Sequence, residues 1–234
     1  MKIAAAACAA LLSTAAHAAD FGSIGSLTQD EFSALTKELG AAFSYKGVTP
    51  ATPLGVLGFD IGVEVTDTRI DNSEVFGRAG AGSVSDIVVP KLHVYKGLGA
   101  GFDIGAFVGG ATQVGATLVG ADLRYALLAD SLTTPSIALR AAGTWATGLG
   151  DLKVWTGSLD AMISKRLTLF TPYAGGGMVH THAGVDNSAL SDETSNRGRA
   201  FIGANLNLIG ANLAFEAERM GSNTSLSAKL GIRF

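Results

Sequence analysis

The sequence lacks several features that would place it in common classes of protein. Its single cysteine, Cys8, lies in an Ala- and Leu-rich stretch near the amino terminus. If that stretch is removed, no thiol remains, which excludes disulfide bonds and thiol catalysis. After residue 18 there is also no run of about 18 apolar residues, which excludes membrane-spanning helices. The mean hydropathy of the chain is nevertheless positive.

A strong charge of one sign is also absent. The chain has 17 Lys and Arg residues against 20 Asp and Glu residues, and its formal net charge is −3. It contains no basic tract. We therefore expect no nucleic-acid partner.

The first 18 residues have the pattern of a secretory signal peptide. Lys2 precedes an apolar run from Ile3 to Leu12, and the small-x-small triplet Ala16-His17-Ala18 follows. The apolar run is shorter than the roughly 20 residues that span a bilayer. We expect secretion across the inner membrane and cleavage after about residue 18.

Apolar residues recur at every second position over residues 53–234, which is the pattern of strands with two different faces. In the last segment, Leu226, Ala228, Leu230, Ile232 and Phe234 alternate with small or charged residues. Similar segments precede it, and together they predict ten strands. Because only every second side chain of a membrane strand meets lipid, such a chain needs no continuous apolar run.

A terminal amphipathic strand that ends on an aromatic residue resembles that of bacterial outer-membrane β-barrel proteins. The resemblance implies an all-β fold, a transmembrane antiparallel up-and-down barrel of about ten strands (roughly 8 to 12). It also implies a bacterial outer-membrane location, outer-membrane lipids as partners, and recognition of Phe234 by the barrel assembly machinery. The oligomeric state is open. The alternative fold is a soluble β-sandwich or lipocalin-like barrel with its apolar side chains inside.

The direction of each strand follows if Phe234 lies on the periplasmic side. The two longest connections, about 68–85 and 183–197, then lie outside, and the short turns lie in the periplasm, as is typical of such barrels. Because ten is even, both termini are expected on the periplasmic side. Trp145 and Trp155 are expected side by side on the lipid face near the outer rim, with Phe234 in the inner aromatic girdle.

Residues 19–52 precede the first strand and have a different pattern. Thr28 and Glu31 have the spacing of a capping box, and apolar residues follow at helical spacing. The pattern predicts a short amphipathic helix over residues 28–39, ending at Gly40, and then an extended connector.

The position of this helix is open between two alternatives. It lies either inside the lumen as a plug or at the periplasmic membrane surface or mouth of the barrel. Small residues at inward positions leave room in the lumen and favour the plug. They are Gly58, Gly62, Gly105, Gly109, Gly120, Ala138 and Ala142.

Charged residues occupy the inward positions of most strands. We predict that the lumen is lined by Asp60, Glu64, Lys91, His93, Asp103, Asp122, Arg124, Arg140, Asp160, Glu216, Glu218, Lys229 and Arg233. Such a wall supports two functions, a narrow passive channel for small solutes or a closed structural or surface-exposed barrel held by ion pairs.

An outer-membrane hydrolase of lipid or peptide substrates is the alternative function. His180 and His182 lie on one face of a strand near the outer rim, where barrel hydrolases set their histidines. The pair is a weak candidate for a metal or catalytic site, because no third ligand and no nucleophile are fixed beside it. We therefore expect no enzyme activity, catalytic residue, metal or cofactor.

Overall fold

Ten strands close into one antiparallel barrel in the computed structural model, which describes residues 21–186 and 189–234. The strands are β1 (Phe59–Arg69), β2 (Asp86–Gly99), β3 (Phe102–Ala111), β4 (Ala116–Leu128), β5 (Ser136–Thr147), β6 (Leu152–Ser164), β7 (Phe170–Val185), β8 (Glu193–Leu208), β9 (Ala211–Met220) and β10 (Asn223–Arg233). Each strand pairs with its neighbours in sequence, and β1 pairs with β10 to close the ring. The predicted fold class is confirmed. The expected signal peptide, residues 1–18, lies outside the described residues.

The alternation of side chains decides which face of each strand meets the interior. In β10, Leu230 and Ile232 are 53% and 56% exposed, whereas Lys229, next to Leu230, is 2% exposed. This arrangement of apolar outward side chains holds around the wall, and the buried charged side chains lie inside. It is the reverse of a soluble barrel, so the sandwich and lipocalin-like alternatives are wrong. The outer wall is a lipid-facing surface.

The seventh strand shows no clear alternation in the sequence, because Tyr173 and Val179 compete with Ala174 and Met178 for the lipid face. In the structure, Tyr173 and Val179 point into the barrel and are 3% and 1% exposed, while Met178 is 54% exposed on the outside. The inward residues of β7 are therefore the odd-numbered ones. His180 and His182 consequently lie on the outer face.

The barrel has two different ends. One, which we call the loop end, carries the long connection 70–85, the β7–β8 connection and the turn 221–222. The other, the turn end, carries the connections 100–101 and 209–210 and the terminal Phe234. The long connection contains a short helix, α2 (Ser73–Arg78), which the sequence analysis did not predict.

The N-terminal helix, α1, spans Gln29–Phe43. Its predicted capping box is present: the Glu31 N–H donates to Thr28 Oγ1 at 3.3 Å, and the Thr28 N–H donates to Glu31 Oε2 at 2.9 Å. The bond from the Thr28 backbone holds the pKa of the Glu31 carboxyl below its usual value. Among the described residues, no helix is long and apolar enough to cross a membrane.

The prediction that α1 ends at Gly40 is wrong, since the helix continues to Phe43. A Cβ at residue 40 would collide with the side chain of Thr181 on β7. Glycine is thus present where the helix backbone closely approaches the barrel wall, and Ser44 is the C-cap.

The helix lies inside the barrel at the loop end. Gln29 Nε2 donates to Ser191 O in the β7–β8 connection at 2.9 Å. Earlier residues are also at this end, because the Ser23 N–H donates to Ala79 O at 3.1 Å. Residues 44–54 then run through the lumen to the turn end, where the Thr52 and Ser164 hydroxyls are 3.1 Å apart. We call α1 and residues 44–54 together the plug.

Two expectations about the N-terminal segment need correction. Of the two positions considered for the helix, the periplasmic membrane surface or mouth is wrong, because the helix is packed inside the lumen. The expectation that both termini lie at the turn end is also wrong, since Phe21 contacts Phe76 of α2 with ring centroids 6.4 Å apart. Counting strands gave the direction of β1 correctly, but the segment before β1 crosses the barrel once more.

Candidate functional site: the plugged lumen

An apolar core fills the loop-end half of the lumen. On the plug it is built by Phe32, Leu35 and Leu39, which are all 0% exposed. The wall supplies inward residues that are at most 3% exposed: Ile87, Val89, Leu118 and Val154. Each fully buried side chain of this size contributes about 1.5–3 kcal/mol of stabilisation relative to exposure. The core therefore holds α1 firmly inside the barrel.

Glu38 fixes the polar side of α1. It is 1% exposed, and its carboxylate accepts hydrogen bonds from the Asp71 and Asn72 N–H groups at 3.2 Å each. The side-chain amides of Asn72 and Asn223 donate to it at 2.6 and 2.5 Å. One carboxylate thus joins the plug to the long connection and to the β9–β10 turn.

Replacing Glu38 with Gln should loosen this end of the plug. The amide keeps one acceptor oxygen and loses the charge, and a hydrogen bond to a charged group contributes about 1.5–3 kcal/mol. We expect faster cleavage of the connection 70–85 by a protease added to the folded protein, with the barrel strands still intact. Glu74→Gln, on the exposed side of α2, is the matched control. Equal cleavage rates for the two variants would contradict the role given to Glu38.

Ion pairs occupy the turn-end half of the lumen. One cluster surrounds Asp60, which is 0% exposed. Lys229 Nζ and Arg233 Nη1 lie 2.8 and 3.4 Å from Asp60 Oδ2, and His93 Nε2 lies 3.5 Å from Oδ1. Next to this cluster, Lys91 forms an ion pair with Glu64, and His93 Nδ1 is 3.6 Å from Glu64 Oε2.

A second cluster surrounds Asp160. Arg140 Nε and Arg199 Nη2 lie 3.0 and 2.6 Å from Asp160 Oδ2. Arg199 Nη1 lies 3.3 Å from Glu218 Oε2, whose other oxygen is 3.5 Å from Lys46 Nζ of the plug. These charges have side-chain exposures of 0–2%. Plug and wall are therefore parts of one buried network.

Two smaller groups complete the polar half. Arg124 binds Asp103 through Nη2 at 2.6 Å. Asp122 accepts from the Tyr45 hydroxyl of the plug at 2.7 Å, and that hydroxyl lies 2.9 Å from the Tyr95 hydroxyl. Glu216 is buried as well, and its carboxylate has no hydrogen bond within the described part of the chain.

The structure thus places every predicted lumen-lining residue on the inner face and joins most of them in these clusters. Sequence reasoning missed Arg199, because the alternation of β8 was followed only from Ala200 onwards. It also missed Glu38, although a charged residue three positions after Leu35 on the apolar stripe is a usable signal. Lys46 lies in a segment with no periodic pattern.

Two of the small wall residues, Gly105 and Gly120, have a different purpose from the one expected. A Cβ on Gly105 would collide with the ring of Tyr95, and a Cβ on Gly120 with the ring of Phe107. Both rings belong to neighbouring strands of the wall. These glycines therefore accommodate inward aromatic rings of the wall itself, and only indirectly leave room for the plug.

The rim at the loop end carries an outward aromatic group. Trp145 and Trp155 are directly paired on β5 and β6 and are 56% and 39% exposed. His180 and His182 lie beside Trp155, with ring centroids 5.3 and 5.7 Å away. At the turn end, Phe234 packs on Phe59 with centroids 5.7 Å apart. Aromatic rings thus flank the apolar belt at both ends.

Each of the two rim histidines has one polar side-chain partner, an amide or a carboxylate. His180 Nδ1 lies 2.9 Å from Asn196 Oδ1, and His182 Nε2 lies 3.6 Å from Asp192 Oδ2. Over residues 21–186 and 189–234, no group of three or more His, Cys, Asp or Glu side chains is arranged to hold a metal. Within the same ranges, no hydroxyl is hydrogen-bonded to either imidazole, whereas a serine nucleophile needs such a base.

The chain is similar to several solved structures of outer-membrane proteins. The outer membrane protein OprG from Pseudomonas aeruginosa is 11% identical with a TM-score of 0.37, and the match covers 80% of this chain and 99% of that chain. The KdgM porin is 8% identical with a TM-score of 0.37, covering 76% and 99%. The outer membrane protease OmpT from Escherichia coli is 10% identical with a TM-score of 0.38, covering 76% and 95%.

The likeness to these structures is confined to the barrel architecture. No protein-family model and no curated protein matches the chain.

Proposed function

We propose that this protein is a closed, non-enzymatic β-barrel of the bacterial outer membrane that presents its loop end to the outside. Its signal peptide directs it across the inner membrane of a Gram-negative cell, and its last strand, ending at Phe234, is recognised during assembly. It serves as a structural or surface-exposed barrel, and its own N-terminal segment closes the lumen.

The apolar core between α1 and the wall carries this proposal. A passive channel for hydrophilic solutes needs a continuous wet path along the axis. In the loop-end half, that path is occupied by Phe32, Leu35 and Leu39, with no exposed surface on any of them. In the turn-end half, most of the charged residues are paired with one another or with the plug. Both arrangements favour a closed barrel over the narrow channel considered from the sequence.

We expect the full-length protein to show no unitary conductance in planar bilayers. The seal consists of side chains packed in the lumen, so it persists at moderate voltage and in high salt. Insertion into the bilayer is verified in parallel by protection of the barrel strands from protease. A steady, reproducible conductance step from verified insertions would contradict the closed barrel and restore the passive channel.

The orientation and the path of the plug can be tested together by labelling single cysteines in intact cells. The variants are Ser26→Cys, Ser83→Cys and Leu132→Cys, all exposed. An impermeant maleimide should label positions 26 and 83, at the loop end, but label position 132, at the turn end, only after the outer membrane is permeabilised.

The three labelling sites distinguish an error in the orientation of the barrel from an error in the path of the plug. Labelling of 132 but not 83 in intact cells would reverse the orientation of the barrel. Labelling of 83 but not 26 would contradict the passage of the plug through the lumen. The secreted chain offers a background free of other thiols, because the single native cysteine, Cys8, lies in the signal peptide.

A further inference from the structure

The wall contacts residues 44–54 through side chains, such as Tyr45 and Lys46, and also repeatedly through the main chain of the segment. Arg199 Nη1 donates to Tyr45 O at 2.7 Å, and Arg124 Nη1 donates to Pro50 O at 2.6 Å. Arg233 Nη2 donates to Thr52 O at 3.2 Å. Three arginines from β8, β4 and β10 thus converge on the carbonyl groups of one passing segment.

Other groups of the wall extend the same pattern. The Ser136 hydroxyl lies 3.2 Å from Ala51 O, and the Tyr95 hydroxyl lies 3.4 Å from Gly47 O. At the end of the segment, the Leu54 N–H donates to Asp103 Oδ1 at 3.0 Å. A carbonyl group is common to all residues, so these bonds recognise a polypeptide backbone more than a particular sequence.

The fit around the backbone is close. A Cβ on Gly47 would collide with Arg140 Nη1 and lie 2.8 Å from the Tyr95 hydroxyl. Ala51 is 0% exposed. The donors are themselves fixed, since Arg124 and Arg199 are also paired with Asp103 and Asp160. A preorganised set of buried donors arranged around a chain is the design of a binding site.

We infer that the lumen is a polypeptide-binding site. Its ligand class is a segment in which an amphipathic helix is followed by an irregular stretch rich in small residues and proline. The barrel's own N-terminal segment is the resident ligand, and the site accepts the same segment from a separate molecule when the covalent link is cut. This inference rests on the proposed plugged barrel and adds that the plug is an exchangeable ligand.

The link can be cut in the full-length folded protein. Val56 and Leu57, between the plug and β1, are 64% and 84% exposed at the turn end. A protease recognition sequence inserted between them allows cleavage after folding. If the insertion impairs folding, the single substitution Leu57→Cys offers a second route, because cyanylation then cleaves the secreted chain at its only cysteine.

The probe is a fluorescent synthetic peptide of residues 21–56. We expect the cleaved fragment to co-purify with the barrel in detergent and to be replaced by excess labelled peptide at one peptide per barrel. An unlabelled copy should compete. The labelled peptide is added first with the cleaved fragment still bound, and then after mild urea has released the fragment. If the labelled peptide binds to the barrel in neither case, the inference is overturned. A non-conducting barrel in that case would leave the proposed function intact.

Recognition through the main chain has its own test. A peptide with an ester in place of the amide between Pro50 and Ala51 keeps every side chain but weakens the carbonyl that accepts from Arg124. We expect its affinity to fall about tenfold or more, as for loss of a charge-assisted hydrogen bond. The matched control has the ester between Val48 and Thr49, where no wall bond to the carbonyl is present in the described part of the chain. Equal affinities for the two esters would overturn recognition through the main chain.

Discussion

A Leu35→Asp variant should lose its seal and conduct ions. Leu35 is 0% exposed in the apolar core between α1 and the wall. Truncating a buried leucine alone costs about 2–5 kcal/mol. A carboxylate placed there adds a penalty of several kcal/mol, because the core offers it no hydrogen-bond donor or cation. The combined loss is comparable to what the buried apolar side chains of the helix contribute together, at about 1.5–3 kcal/mol each, so we expect α1 to leave the lumen.

The measurement is planar-bilayer conductance, combined with cleavage of α1 by an added protease. Lys37→Asp is the matched control, since it introduces the same side chain on the exposed side of the same helix. The control should remain closed and resistant. If Leu35→Asp stays as closed as Lys37→Asp, the seal does not depend on the apolar core and the argument for a closed barrel fails.

An Asp60→Ala variant should produce the largest loss of stability in the barrel wall. Asp60 has two buried cations within 3.4 Å. Removing one member of a buried ion cluster leaves the others without compensation, which costs about 3–5 kcal/mol. We expect unfolding in detergent micelles to have its midpoint at a lower urea concentration. The unfolded fraction is measured from the difference in gel mobility between folded and unfolded barrels.

Two controls identify the cause of that loss. Asp151→Ala removes an exposed carboxylate in the β5–β6 connection and should leave the midpoint almost unchanged. The double variant Asp60→Ala, Lys229→Met also removes one of the two cations that Asp60 neutralised. It should regain part of the lost stability. A double variant that is less stable than Asp60→Ala would show that the penalty does not come from uncompensated charge.

The barrel itself could be predicted because each strand is specified by residues that are close together in the sequence. Each strand needs alternate side chains for lipid and lumen, so residues such as Leu230 and Lys229 reveal their faces within one short segment. The capping box of Thr28 and Glu31 is equally local and is present as predicted. The β7 assignment was open because residues of both faces compete for the lipid side, and only the pairing with β6 and β8 decides between them.

The site was predictable in its residues but not in its contacts. Alternation identifies Asp60 and Arg140 as inward residues, but which cation meets which carboxylate depends on positions across the lumen. The apolar half of the lumen was missed for the same reason, since Leu118 and Val154 become a core only when α1 lies against them. The position of α1 depends on contacts such as Glu38 with Asn223, which are 185 residues apart.

The passage of residues 44–54 through a closed ring implies an order of assembly. The ring closes where β1 meets β10, and the plug is joined covalently to the start of β1. A helix is about 10–12 Å wide with its side chains, and in the finished barrel α1 is closely packed against the inward side chains of the wall. Entry is therefore easiest while the seam between β1 and β10 is open. We therefore expect the plug to be in place before β1 and β10 pair and close the barrel.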